Sequence, residues 1–459
     1  MADLSTGALL SNYSEVLKTF YLPAIQAQLN HDTILMDKIA MGPQEDVSGK
    51  NFTIEMHYGR STGTGARADA GPLPTASYQK YKTAVVPMKY NYGRVQFTGP
   101  TIAATRSERG AYADVIDSEI TGIVTDLKKE LNRQLWGNGT GVLARWLSGT
   151  TTSLTVQKEY RGNAAGGDGW GSTFGAKYLT ENGLCEVVVL TTSGSTVTVA
   201  TLTDTDLTAS AVVKGTISDA FTITDVSASS VAAGTFFVRA GTTATVTASS
   251  STAGAHRREM MGLRGIVTDE DMDTITYYDG TDRGMSALPD PLQGLAVGTY
   301  SWWKAIVATS GTRYGAQRAL TLKMMDKMFD DVEEVAGKDY GPDMILSTRA
   351  LRREYLELCR ADRRVVNEMS LDGGWTALSF NGVPYTVDND AIDGEIYFLT
   401  LKDIARYRMS DFTWMEKDGS VFSRISGYDA YESILSIYQE LGCRRRNAQG
   451  VLCDLSYET

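Results

Sequence analysis

Gly110-Ala-Tyr-Ala-Asp-Val-Ile-Asp-Ser-Glu-Ile-Thr-Gly-Ile-Val-Thr-Asp-Leu-Lys-Lys-Glu-Leu-Asn-Arg-Gln-Leu-Trp-Gly137 reads as one long helix. Tyr112, Ile116, Ile120, Val124, Leu127, Leu131 and Leu135 recur at spacings of three and four, which places them on one apolar stripe. Ser107 or Glu108 lies near its start, and Gly137 sits where a C-terminal cap belongs. At the rise of an α-helix such a segment runs about 40 Å. That is long for a small globular domain, and it argues against a purely β chain.

Upstream, the pattern has period two. In Lys50-Asn-Phe-Thr-Ile-Glu-Met-His-Tyr58, the residues Phe52, Ile54, Met56 and Tyr58 share one face of a strand. Gly59-Arg-Ser-Thr-Gly-Thr-Gly-Ala-Arg-Ala-Asp-Ala-Gly-Pro72 is a polar, glycine-rich tip. A second extended run, Ala84 to Pro100, then returns with Tyr90, Tyr92, Val95 and Phe97 as its β-formers. Together they predict a long hairpin, a structure of marginal stability unless it lies on something. The segments Val16–Ala27 and Ile34–Ile39 before it, with Leu17, Phe20 and Tyr21 at helical spacing, predict an arm that needs a surface to pack on.

Downstream, from about 150 to 256, Thr, Ser, Ala, Val and Gly dominate and charges thin out. Glu186–Leu190, Ser195–Leu202, Ala220–Val226 and Thr235–Arg239 read as short strands of a small inserted β-barrel or sandwich. The remainder is mixed. Thr321–Ala336 predicts a helix with Leu322, Met325, Phe329, Val332 and Val335 on one face. Ser347 or Thr348 is placed to cap a second helix carrying Leu351, Tyr355 and Leu358. Strands are expected at Val383–Asp388, Glu395–Leu399 and Ile434–Gln439.

The 459 residues suffice for more than one core, and the net charge of −11 disfavours a general nucleic-acid-binding surface. No apolar run is long enough to span a membrane, and no secretory signal is legible. Cys185, Cys359, Cys443 and Cys453 form no CxxC pair and are expected as free thiols. His31, His57 and His256 have no metal-ligand spacing, and no GxSxG elbow accompanies them. Gly166–Gly171 and Gly63–Gly65 do not join a strand to a helix, so they read as loops and not phosphate cradles. Asp269–Asp271, Asp330-Asp331 and Glu333-Glu334 read as solvated acids. Asp388-Asn-Asp390 is the one short loop with the chemistry of a cation site. Lys128-Lys129, Arg257-Arg258, Arg352-Arg353, Arg363-Arg364 and Arg444–Arg446 are scattered, which favours salt bridges between subunits over DNA contact. The expectation is therefore no enzyme, no catalytic residue, no cofactor and no metal.

Lys89–Pro100, Leu127–Gly141, Glu259–Val267, Phe380–Asp390 and Gly394–Leu399, in this order, resemble the tailed-bacteriophage major capsid proteins of the Hong Kong 97-type fold. The resemblance covers most of the chain outside 150–256. It implies an α+β fold with an N-terminal arm (1–47) and an extended β-hairpin loop (48–100). A peripheral domain with a spine helix (101–149) follows, then the inserted β module (150–256), a return through the peripheral domain (257–300), an axial domain (301–425) and C-terminal peripheral strands (426–459). It further implies many copies as hexamers and pentamers in an icosahedral head shell. The shell would enclose double-stranded DNA without sequence-specific binding, with a portal protein at one vertex, a separate scaffolding protein and room for a decoration or cement protein. Some members crosslink subunits through Lys and Asn. Lys50, Lys80 and Lys82 lie in or near the hairpin without a matching acceptor, so noncovalent assembly in the virion is expected. The alternatives are an encapsulin-like nanocompartment shell or, in a different class, a β-rich tail tube or adhesin.

Overall fold

The computed structural model describes residues 34–41, 51–69, 71–100, 109–139, 141–149, seven short pieces between 153 and 239, 258–269, 291–311, 316–361, 368–371, 375–416 and 420–457. The segment Val16–Ala27, His31, His256, the loop at 166–171 and Arg257, Arg363 and Arg364 lie outside them.

A short helix, α1 (Ile34–Lys38), leads into a two-residue strand, β1 (Ala40–Met41). β2 (Asn51–Gly59) and β3 (Lys80–Pro87) pair antiparallel as the expected hairpin. The returning run, however, is two strands. Beyond Pro87 and Met88 the chain becomes β4 (Lys89–Thr98), which leaves the hairpin and pairs from Thr98↔Ala430 to Lys89↔Gln439. Pro87, with no N–H to continue a ladder, stands at the change of partner.

The long helix is α2 (Arg109–Trp136), 28 residues. Ile120, Val124, Leu127, Leu131 and Leu135 of the stripe are buried, and the Gly137 N–H bonds back to the Gln134 carbonyl at 3.0 Å. The side chains of Tyr112 and Ile116 lie outside the described residues.

After α2 come β5 (Val142–Gly149), β6 (Ser153–Gln157), β7 (Cys185–Leu190), β8 (Val197–Thr201), β9 (Val213–Lys214), β10 (Ser218–Thr222) and β11 (Phe236–Arg239). They pair antiparallel in the order β8-β7-β11-β5-β6-β10-β9. The sheet takes in β5, so it begins before residue 150. Val142 to Arg145 pair with β11, and Trp146 to Gly149 pair with β6. A strand that changes partner along its length is how a sheet turns a corner.

The chain resumes with a one-turn helix, α3 (Leu263–Ile266), all of it buried. It continues as β12 (Ile306–Ala308), α4 (Leu322–Ala336), β13 (Met344–Ser347), α5 (Arg349–Ala361), β14 (Glu368–Leu371), β15 (Trp375–Phe380), β16 (Val383–Val387) and β17 (Ile396–Leu399). Last come β18 (Ile404–Trp414), β19 (Ser423–Arg424), β20 (Ala430–Cys443) and β21 (Gly450–Leu452). One mixed sheet has the order β12-β21-β17-β13-β16-β15-β14; the other has β1-β18-β20-β19, with β4 also on β20. Thus β18 falls within 301–425 yet pairs with β20, and β21 falls within 426–459 yet pairs with β12 and β17.

Strand alternation explains the layers. Met344, Leu346, Tyr397 and Leu399 face a core shared with α1 and α2, while Ile345, Ile396 and Phe398 face a second core capped by α4 and α5. On α4, Thr321 Oγ1 accepts from the Met324 N–H at the N-cap. Met325, Met328 and Val332 are its buried residues, whereas Val335 is 54% exposed. Met328 and Val332 close on Gly450, and Val335 lies in the next turn, beyond that contact. On α5, Leu351, Tyr355 and Cys359 are buried. Neither expected cap operates there: Thr348 Oγ1 has no hydrogen-bond partner, and Ser347 Oγ is paired with the Tyr385 hydroxyl at 2.7 Å.

Candidate assembly surface

The hairpin divides into a root and a free end. At the root, Ala84, Val86 and Met88 are buried, Val86 and Met88 against Ala405 and Tyr407 of β18. Phe52 packs its ring 5.0 Å from that of Tyr407. Midway, Tyr58 stacks on Trp302 at 4.9 Å, and the Lys82 ammonium sits 5.1 Å over the Tyr300 ring. A hydrogen bond to the Tyr300 hydroxyl holds Lys82 above its ordinary pKa. Beyond this, from His57 to Thr83, no described residue is buried. Leu73, Tyr78 and Tyr81 are 87%, 77% and 67% exposed, beside Arg60, Arg67 and Lys80. Large apolar side chains displayed beside cations on a narrow two-stranded ribbon are interface chemistry.

The opposite extreme is the C-terminal end of α2. Arg133, 1% exposed, is held by Glu130 of its own helix and by Glu259 at 2.5 Å. Burial alone would lower the Arg133 pKa; the two carboxylates outweigh it and raise it. Gln134 donates to Asn91 Oδ1 of β4 (2.9 Å) and accepts from the Met260 N–H (3.2 Å). The Met261 N–H donates to Glu440 of β20 at 2.7 Å. Gly262 then crosses so close to the helix end that a Cβ there would collide with the carbonyl oxygens of Gln134, Leu135 and Gly137. Residues 259–262 are thereby locked to the end of α2.

The Asp388–Asp390 loop joins the same structure. Asn132 Nδ2 of α2 donates to Asp390 Oδ2 (2.5 Å) and Asp388 Oδ1 (3.4 Å), and the Asp390 N–H donates to Asp388 Oδ1 (2.9 Å). An amide donor fills the place a cation would take, and burial raises the Asp388 pKa. Among the described residues no group of three His, Cys, Asp or Glu is arranged to hold a metal. His57 Nε2 donates to Gln79 Oε1 across the hairpin (2.8 Å). Cys359, Cys443 and Cys453 are buried and outside any disulfide, and burial pushes the Cys443 thiol up to about 12.

The basic clusters do not behave alike. Arg446 is wholly buried and donates to the carbonyls of Ile266, Trp303 and Gly265 at 2.8, 3.2 and 3.4 Å, so it is an internal clamp and not an intersubunit bridge. Arg444 donates to the Tyr407 hydroxyl, and Arg445 lies over the Tyr340 ring and 3.7 Å from Asp403. Lys128 is buried too. Arg349, Arg353 and Arg360 are exposed. The burial of Arg133, Glu259 and Arg446 escaped the sequence reading. Gly262, within a segment already singled out, was the available sign of a close approach.

No helix among the described residues is long and apolar enough to cross a membrane. No protein-family model matches the chain, and no curated protein matches it in sequence. Solved structures do. The chain is similar to one from the cyanophage A-1(L) capsid asymmetric unit, with 13% identity, 93% of each chain covered and a TM-score of 0.50. Further similarities are to the capsid of the empty GTA particle (9% identity, 91% and 95% covered, TM-score 0.43) and to Gordonia phage Cozz (10% identity, 93% and 87% covered, TM-score 0.41). Over almost its whole length, the chain has the fold of the cyanophage A-1(L) capsid chain.

Proposed function

We propose that this chain is the major capsid protein of a tailed double-stranded DNA phage and builds the icosahedral head shell as hexamers and pentamers. The observation that carries the reading is a hairpin fixed at its root and unburied from His57 to Thr83, in a chain with a phage-capsid fold. A ribbon with Leu73, Tyr78 and Tyr81 in water gains by lying on another copy.

We assign the Hong Kong 97-type divisions sheet by sheet. The sheet of β1, β4, β18, β19 and β20 with α2 is the peripheral domain, the sheet of β12 to β17 with β21, α4 and α5 is the axial domain, and β5 to β11 are the insertion. The work is structural, without a catalytic step. Portal and scaffolding proteins are the expected partners, a decoration protein is a further one, and DNA is enclosed without sequence reading. Assembly is noncovalent on this reading, because no acceptor Asn matches Lys50, Lys80 or Lys82 in the sequence.

Expression of the whole chain with its neighbouring genes, followed by negative-stain microscopy, tests the reading. Closed shells that dissociate to monomers in denaturing electrophoresis are expected. Tubes or small particles overturn the shell, shells filled by an enzyme cargo replace the phage head with a compartment, and covalent ladders overturn noncovalent assembly.

A further inference from the structure

Helices α4 and α5 cap the same core of the mixed sheet, and both carry charge against their own dipoles. α4 has five acids against two lysines; Asp330, Asp331, Glu333 and Glu334 crowd its C-terminal half, and no base lies in its last turn. α5 has four arginines against two glutamates; Arg349, Arg352 and Arg353 crowd its start, and no acid lies in its first turn. Like charges repeat four residues apart in each, at Asp330/Glu334 and at Arg349/Arg353, and all four residues are exposed. Such like-charge pairs weaken the helix that carries them.

The two charged ends lie at different places on the domain. α4 rests on β21 and β12, at one end of the sheet order. α5 rests Tyr355 on Phe380 and Tyr385 of β15 and β16, towards the other end. The described ion pair of α4, Lys327 with Asp331, lies within that helix.

We infer that the acidic C-terminal half of α4 in one copy docks against the basic N-terminal half of α5 in the next copy. The partner is a second copy of this chain, and the pairing deepens the shell reading on which it rests. Each helix end meets the charge its dipole lacks, because acids reach a helix N-terminus and bases reach a C-terminus. The contact is head-to-tail, the kind that closes into rings. Nucleic acid is the competing occupant of α5, and an acidic α4 gives it no role.

Three whole-chain variants test this: Asp330→Lys with Glu334→Lys, Arg349→Glu with Arg353→Glu, and all four together. Each is first checked for an unchanged circular dichroism spectrum and melting temperature, and shells are then counted by sedimentation and microscopy. Each two-site reversal is expected to lower shell yield at least tenfold, and the four-site reversal to restore it to within about threefold. A four-site variant no better than the worse two-site variant overturns the pairing, as does either reversal that assembles normally. If the arginine reversal assembles normally but retains less DNA, α5 faces nucleic acid instead. A wild-type chain that forms no shells under the same conditions overturns the shell reading itself, and the pairing with it.

Discussion

The end of α2 and the free end of the hairpin belong to one subunit and treat polar groups in opposite ways. At the helix end, Arg133, Glu259, Gln134 and Asn132 are buried and each is bonded within the chain. In the hairpin, Tyr78, Tyr81 and Leu73 stand in water, and the cations beside them are exposed. The first region holds the subunit together with no help from a neighbour. The second contributes little to the lone subunit and is available to neighbours. The difference separates what a lone copy needs from what the proposed shell would need, and it can be attacked from both sides.

The largest effect is expected at the buried pair. Arg133→Ala leaves Glu259 buried beside Glu130 without its cation, a loss of about 4 kcal/mol in denaturant unfolding of the subunit. A stability unchanged within error would show that the pair is not structural. Gly262→Ala forces a methyl against three carbonyls at the helix end and should lose about 3 kcal/mol, read as a lowered urea midpoint.

Asp388 gives a smaller, pH-dependent effect. Its folded pKa is raised by burial, so the folded chain holds that proton more tightly than the unfolded chain does. Raising the pH through the window from 3.8 upward to the folded value therefore lowers stability, and acidifying through it restores that part. Asp388→Asn should flatten the corresponding slope of melting temperature against pH. The smallest effect on the subunit belongs to the tip: Leu73→Ser, Tyr78→Ser and Tyr81→Ser together should leave unfolding within about 0.5 kcal/mol of wild type. The same triple change should lower shell yield at least tenfold by sedimentation, and normal shells would remove the hairpin from the interface.

Local periodicity made much of this legible. The stripe from Ile120 to Leu135, the alternation from Phe52 to Met56 and the short strands between residues 185 and 239 need only nearest neighbours in sequence to be recognised. What escaped depends on partners far along the chain. Pro87 does not announce that β4 will pair with β20, about 340 residues later. Arg446 looked like part of a surface cluster because its partners are backbone carbonyls of Gly265, Ile266 and Trp303, which carry no signature of their own. Val335 continued the helical pattern correctly, but the core stops one turn earlier. Asp388 and Asp390 invited a cation because Asn132, which occupies their lone pairs, lies on a different element.

Strand β20 sets a clock for synthesis. It lies between β4 on one side and β18 and β19 on the other, and β21 after it enters the mixed sheet between β12 and β17. Neither sheet is complete until residues 430–452 have left the ribosome, and the hairpin root has no Ala405 or Tyr407 to grip until shortly before that. Pairings this distant form late. Until then the hairpin of a nascent chain lacks its root contacts with β18, though Tyr300 and Trp302 are already there to meet it midway.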